Sequence, residues 1–339
     1  MAFYYDNVKL DKGMYREAGR SFTQVLERED PSERYKGTSL EGLDAFQRQL
    51  KRFNIKVKGD SDVVDAFFQT SQAAVLFPEF ISRTVRQGME EGNILSQITA
   101  AVTTIDGLNY HSITSETDNK EDLETVDEGE KIPATTVKIQ DNKVRLKKRG
   151  RMLVASYEAI RFQKLDLFSV TLRQIGAQIA RANLKDAVGV LTSDGEQDKE
   201  KVRKISVEGK LTYSDLVSFW AKFDPYVMNT LLVSGDVMLQ LLQLAEFQNP
   251  LTGLNFQGTG KLSTPLGATL LRTSALGENT AVGLDKRFAL EMVQSGGVMV
   301  EYDKLIDRQL ERAAITTITG FAKVFPEASR VLEIKSAGN

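Results

Sequence analysis

The chain has no cysteine, one histidine (His111) and one tryptophan among 339 residues. A thiol nucleophile, a disulfide framework and a thiolate zinc site are therefore excluded, and one imidazole does not make a multi-histidine metal centre. Hydrolysis that relies on a histidine base would have to be built around His111 alone. Charge of either sign is not in excess: 44 Lys and Arg face 46 Asp and Glu. Tight binding to a phosphate backbone comes from a clustered basic excess, so a dedicated nucleic-acid binder is disfavoured. Long apolar runs are missing too. Uncharged stretches are short, Gly92 to Ile105 being an example, and the start Met-Ala-Phe-Tyr-Tyr-Asp lacks the order of a signal peptide. These absences point away from an enzyme and from a membrane, toward a protein that binds protein in the cytosol or in an assembly formed there.

What is present is ordinary globular material, 41% hydrophobic and 27% charged, long enough for about two domains. Residues 1–75 differ from the rest. Leu43, Phe46, Leu50 and Phe53 recur at helical spacing, and Ser61 reads as an N-cap for a helix through Val63, Val64, Phe67 and Phe68. Short charged segments and glycines surround these stripes, which predicts a polar arm anchored through them. The alternative is a small helical subdomain folded on its own chain.

From Phe77 the pattern is denser. Pro78 suits the first turn of a helix to about Glu91, ended by Gly92-Asn93, and the β-branched, uncharged Ile94 to Ile105 suits a strand. Eight acids lie between Glu116 and Glu130, and six bases between Lys143 and Arg151. Alternation over Thr135 to Ala155, with a bend at Asp141-Asn142, predicts a long ribbon whose limbs carry opposite charge. About 20 residues per limb would project roughly 60 Å. Such a ribbon is marginal alone in water. Its limbs either neutralise each other across the strands or meet a neighbouring subunit, and both can hold at once.

Next comes the longest helical pattern, with Asp166 as N-cap and Phe168, Leu172, Ile175, Ile179 and Ala182 along one stripe toward Val190. Residues 211–312 read as a compact α/β unit. Thr212 and Asp236 cap its helices, Asn229–Val233, Ala268–Arg272 and Ala281–Leu284 are strands, and Ser295-Gly296-Gly297 turns a hairpin. The final β segments, Ala313–Val324 and Val331–Ile334, are expected to return to the Ile94 strand, leaving 211–312 as an insertion.

Chemical motifs fail on inspection. In Gln257-Gly258-Thr259-Gly260-Lys261-Leu262 the places a phosphate loop reserves for its first glycine and for Ser/Thr hold Asn255 and Leu262. The acidic run has no calcium-loop spacing, and no nucleophile motif surrounds His111-Ser112. The apolar residues interleaved with the bases are aliphatic, which favours a protein partner over stacked bases.

The order of these elements resembles the major capsid proteins of tailed bacteriophages, the Hong Kong 97 fold, over roughly residues 70–335. The supporting runs are Ala182-Asn183-Leu184-Lys185-Asp186 before Ser193-Asp194-Gly195, Thr264-Pro265-Leu266-Gly267 before Leu270-Leu271-Arg272, and Val300-Glu301-Tyr302-Asp303 before the last strands. The resemblance implies an α+β fold with an N-terminal arm (1–75) and an extended loop (107–155). It also implies a peripheral domain (76–106, 156–210, 313–339) with a spine helix at 165–192, and an axial domain (211–312). Arm anchors would be Leu43, Phe46, Leu50, Phe53, Phe67 and Phe68. Intersubunit contacts would come from Glu121, Asp122, Glu124, Asp127, Glu128, Glu130 and Lys131 on the acidic side, and from Lys143, Arg145, Lys147, Lys148, Arg149 and Arg151 on the basic side.

The implied function is a non-enzymatic shell protein of a virion, without cofactor or metal, assembled in the host cytoplasm as hexamers and pentamers of an icosahedral shell around double-stranded DNA. Its partners would be further copies of itself, portal and scaffolding or decoration proteins, and DNA held by weak non-specific contact. Competing readings are an encapsulin-like nanocompartment and, from another class, an enzyme using the acids at 116–130. One departure from the resemblance is the segment 1–75, which is long for a mature arm and suggests the scaffolding-like leader that some members cleave. Another concerns cross-linking. Some relatives join a loop lysine to an asparagine near the C-terminal β segment, and no Asn lies between Asn279 and Asn339 although Lys131 is available. Denatured particles analysed by mass spectrometry should therefore show single chains and no covalent multimers.

Overall fold

The computed structural model describes residues 4–17, 20–117, 128, 135–193, 202–248 and 266–335. Its helices are α1 (Phe22–Glu29), α2 (Ala45–Arg52), α3 (Ser71–Val75), α4 (Phe77–Glu91), α5 (Tyr157–Phe162), α6 (Leu165–Thr192), α7 (Tyr213–Ala221), α8 (Gly235–Gln243) and α9 (Ala245–Gln248). The strands are β1 (Ala101–Ile105), β2 (His111–Thr117), β3 (Thr135–Lys143), β4 (Lys147–Ser156), β5 (Lys204–Glu208), β6 (Thr230–Val233), β7 (Thr269–Arg272), β8 (Thr280–Leu284), β9 (Leu290–Ser295), β10 (Met299–Leu305), β11 (Leu310–Lys323) and β12 (Ser329–Lys335). Two compact units result: Met1–Gly92 with Lys148–Ala180 and Gly296–Thr317, and Asn93–Lys147 with Arg181–Ser295 and Ile318–Asn339.

In the first unit α4 has Pro78 in its first turn and Gly92 as its C-cap, as its sequence predicts. It crosses the first half of α6 where both helices carry glycine. A β-carbon on Gly88 would overlap the Arg173 backbone, and one on Gly176 would overlap the Val85 carbonyl oxygen. Around this crossing Phe77, Phe80, Ile81 and Val85 meet Leu165, Phe168, Leu172, Ile175 and Ile179 in one core.

The polar arm is corrected here. Val8, Leu10, Phe22, Leu26, Phe46, Leu50, Ile55, Val64 and Phe67 belong to that same core, with Phe53 and Phe68 packed against it. Phe67 lies 5.4 Å from Phe77 and 5.3 Å from Phe80 between ring centroids. Leu43 is half-buried, and its carbonyl accepts from Arg48. Capping boxes close α1 (Ser21, Gln24) and α2 (Asp44, Gln47). Between them lies a fully buried pair, Arg48 Nε to Asp30 Oδ2 at 2.7 Å, with Tyr35 donating to the same carboxylate and the guanidinium 4.3 Å over the Tyr35 ring. Opening a buried pair of this kind costs about 3–5 kcal/mol. The apolar stripes thus find partners along the same chain at separations that spacing does not reveal, and the segment is neither a free arm nor a separate subdomain but part of the first unit.

Capping is also long-range. Ser61 does not start a helix of its own; Val64–Phe68 is a 3-10 turn. The Ser61 hydroxyl instead accepts from the Asp166 amide at the start of α6, far along the chain, and Asp166 sits inside the first turn.

In the second unit a five-stranded sheet runs β5-β12-β8-β6-β7. Thr212 caps α7 as expected, whereas α8 starts after Ser234, and the Asp236 carboxylate accepts from the Asn279 amide. Phe219, Phe223, Leu231, Val233, Val237, Leu241, Ala281 and Leu332 form the core between this sheet and its helices. A second cluster joins Leu184, Ala187, Val188 and Leu191 of the later part of α6 to Leu95, Ile98, Val282 and Leu290.

Three strand expectations change. The Ile94 segment begins as a 3-10 turn (Leu95–Gln97), and only Ala101–Ile105 is a strand. Neither C-terminal segment pairs with it: β1 pairs parallel with β9, and β12 lies between β5 and β8. Ser295-Gly296-Gly297 does not turn a hairpin. Gln294 opposes Thr319 and Met299 opposes Thr316, so β9 and β10 follow one another along β11, and the short connection between them absorbs the slip in register. The reversal falls instead at Ile306–Arg308.

Two outcomes follow for the first unit. Gly176→Ala should cost about 1–3 kcal/mol by forcing α4 and α6 apart, read as a lower urea midpoint. Buried Glu311 lies 2.8 Å from Lys304 and accepts from the Tyr302 hydroxyl. Burial and the nearby Asp65 push its carboxyl up to about 7. The folded chain therefore holds this proton longer than the unfolded one, and the stability it contributes is fully present at low pH and lost as pH rises from about 4.5 to 7. Urea titrations of the native chain should show stability falling over that pH range, less steeply than burial alone would give because the Lys304 ammonium favours the charged carboxylate, and Glu311→Gln should remove the fall.

Candidate intersubunit surface

The 107–155 region has a different build from a ribbon of opposed charges. β2 and β3 pair antiparallel, with Ile113 opposite Ile139, Ser115 opposite Val137 and His111 opposite Lys143. Directly opposed residues, and residues two apart, share a face. One face of this two-stranded ribbon therefore carries Ile113, Val137 and Ile139, which are 51%, 64% and 72% exposed. At about 3.3 Å per residue, β3 spans about 30 Å, half the expected reach.

Asp141-Asn142 lies within β3, and the chain leaves the ribbon at 144–146. β4 then joins β11 instead of folding back on β3. Of the six bases, Lys143 lies at the root end of β3, Arg145 in the connection, and Lys147, Lys148, Arg149 and Arg151 in β4. All are exposed except Arg149, which is half-buried. The Lys147 ammonium pairs with Asp186 of α6 at 2.8 Å. Lys147–Arg151 therefore lie on a strand paired with β11 and not on a limb of the β2–β3 ribbon. Of that run, Glu128 is exposed in a turn, while Glu121, Asp122, Glu124, Asp127, Glu130 and Lys131 lie outside the described residues, as does the glycine loop at 253–260.

The root of the ribbon holds the polar cluster that sequence reasoning missed. Glu291 of β9, 6% exposed, accepts from Thr103 (2.5 Å), Tyr110 (2.7 Å) and Ser112 (2.5 Å). Burial and the Glu291 carboxylate push the Tyr110 hydroxyl above its ordinary range. A threonine, a tyrosine and a serine between positions 103 and 112, with a glutamate far away at 291, carry no local signal; only the parallel pairing of β1 with β9 brings them together. Among the described residues there is no group of three His, Asp or Glu able to hold a metal, and no helix long and apolar enough to cross a membrane.

A long helix, a five-stranded sheet with α7 and α8, and a projecting ribbon define a capsid fold of the Hong Kong 97 type. Solved structures share it. The capsid of a native GTA particle matches with a TM-score of 0.54 at 11% identity, over 74% of this chain and 90% of the other. The capsid of the cyanophage P-SCSP1u gives 0.52 at 12% identity, over 72% and 88%. A virus-like particle from Pyrococcus furiosus gives 0.50 at 14% identity, over 76% and 99%. Among curated proteins none matches in sequence. The family of phage capsid proteins matches residues 140–323, more than half of the chain, and the protein belongs to it. It is a structural protein of a capsid shell, and the reading of an enzyme using the 116–130 acids is set aside on that membership.

Proposed function

We propose that the protein self-assembles as hexamers and pentamers into an icosahedral shell around double-stranded DNA, with the β2–β3 ribbon seated on a neighbouring subunit. The observation that carries this is the exposed row Ile113, Val137 and Ile139 on a ribbon that is two strands wide among the described residues. Covering such side chains is worth about 1.5–3 kcal/mol each. A closed symmetric shell repeats the contact in every subunit.

The bases Lys143, Arg145, Lys148 and Arg151 then frame the contact, and the acids Glu121, Asp122, Glu124, Asp127, Glu128 and Glu130, with Lys131, supply the complementary rim. In domain terms, the first half of α6 with β4, β10 and the start of β11 serves as the peripheral domain. The β5-β12-β8-β6-β7 sheet with α7 and α8 serves as the axial domain at capsomer centres. Near-neutral charge suits weak, releasable contact with packaged DNA. Portal and scaffolding or decoration proteins complete the set of partners, and assembly takes place in the host cytoplasm.

A nanocompartment shell is the second reading, since the Pyrococcus furiosus virus-like particle has the same fold. Nuclease-protected DNA in purified particles separates the two. Replacing Ile113, Val137 and Ile139 together by Ser should leave subunit unfolding within about 0.5 kcal/mol of native while abolishing shells in electron micrographs. Reversing Lys143, Arg145, Lys148 and Arg151 to Glu should give the same split. Shells of normal yield and size from both variants would remove the ribbon from the interface.

A further inference from the structure

The geometry points to Glu291 as the positioning residue of the ribbon: one buried carboxylate that fixes the direction in which the ribbon leaves the sheet formed by β1, β9 and β11. The inference rests on the reading of the ribbon as the part that reaches a neighbour. Two antiparallel strands are marginally stable by themselves, so their direction is set where they join the sheet.

The joint is polar. Thr103 comes from β1, Tyr110 from the connection into β2, and Ser112, fully buried, from β2 itself. All three hydroxyls converge on Glu291, with Thr103 and Tyr110 on Oε1 and Ser112 on Oε2. Glu291 is itself held from both sides, opposite Ala101 of β1 and Ala322 of β11, so its carboxylate is anchored to the sheet and not to the ribbon. Backbone adds one further tie, the Val144 amide donating to the Tyr110 carbonyl where the chain leaves β3. Val144 and Leu146 pack with Val293, Ala322, Ile105 and Tyr110 just beneath it.

A carboxylate suits this place because both of its oxygens accept and neither donates. A glutamine would offer one accepting oxygen and an NH2 that can only donate, against three hydroxyl donors. At least one hydroxyl would lose its acceptor inside a buried site, and the joint would open on the ribbon side. β1, β9 and β11 keep their ladder hydrogen bonds throughout, because Glu291 contributes only its side chain to the joint.

The test uses the full chain before and after assembly. In unassembled Glu291→Gln, amide exchange of residues 111–117 and 135–143 should rise at least about tenfold, a shift that corresponds to about 1.4 kcal/mol. Exchange in β9, β11 and β12 should stay native. Ser112→Ala, Thr103→Val and Tyr110→Phe, each removing one donor, should give smaller rises in the same two segments, which keeps the test open if the glutamine variant folds poorly. Shells from Glu291→Gln should be fewer and irregular in electron micrographs. Unchanged ribbon exchange, or a rise spread evenly over the second unit, would overturn the assignment. Looser ribbons with normal shells would uphold the joint and overturn the intersubunit role of the ribbon instead.

Discussion

Two helices cross so closely that neither can carry a side chain at the contact. With Gly88 against the Arg173 backbone and Gly176 against Val85 and Met89, α4 and α6 meet backbone to backbone. The apolar rows on either side of the crossing then face each other at a distance where Phe77, Phe80 and Phe168 can stack. Everything else in the first unit is laid on this pair. The N-terminal segment covers it, β10 and β11 contribute Ala313, Ile315 and, at the edge, Tyr302, and Ser61 closes the start of α6.

That arrangement gives the N-terminal segment a different role from the one its composition suggests. Polar, glycine-punctuated surroundings are what a solvated arm looks like. Yet Arg48, Asp30 and Tyr35 form a buried network in which each polar group meets another, and buried charge is tolerated only on that condition. The segment is charged outside because it is a covering layer, and apolar inside because it covers a core.

The ribbon shows the opposite distribution. Its tip-side strands leave aliphatic side chains in water, while its root concentrates hydroxyls on one buried carboxylate. In the proposed assembly a neighbour covers the apolar face and the polar root sets the ribbon's direction, and a symmetric shell uses both because one contact recurs in its subunits.

Much of this was legible in the residues. Helical stripes with their breakers located α4, α6 and α7 closely, since Pro78, Gly92 and Thr212 act through bonds to near neighbours in the chain. The same logic found the strands at 230–233, 269–272 and 280–284, and the order of elements resembled the capsid family that the chain belongs to. Pairing was not legible. Period and charge say which face of a strand is buried but not which strand lies beside it, so β4 went to β11, β12 to β5 and β8, and Ser295-Gly296-Gly297 joined two strands in line where a hairpin was expected. Sequence alone determined the elements and the caps that lie close to one another along the chain. Only the tertiary structure decided what closes α6, what the segment 1–75 covers and what holds the ribbon, because Ser61 meets Asp166, Phe67 shares one core with Phe77 and Phe168, and Glu291 meets Ser112 through the folded path of the chain.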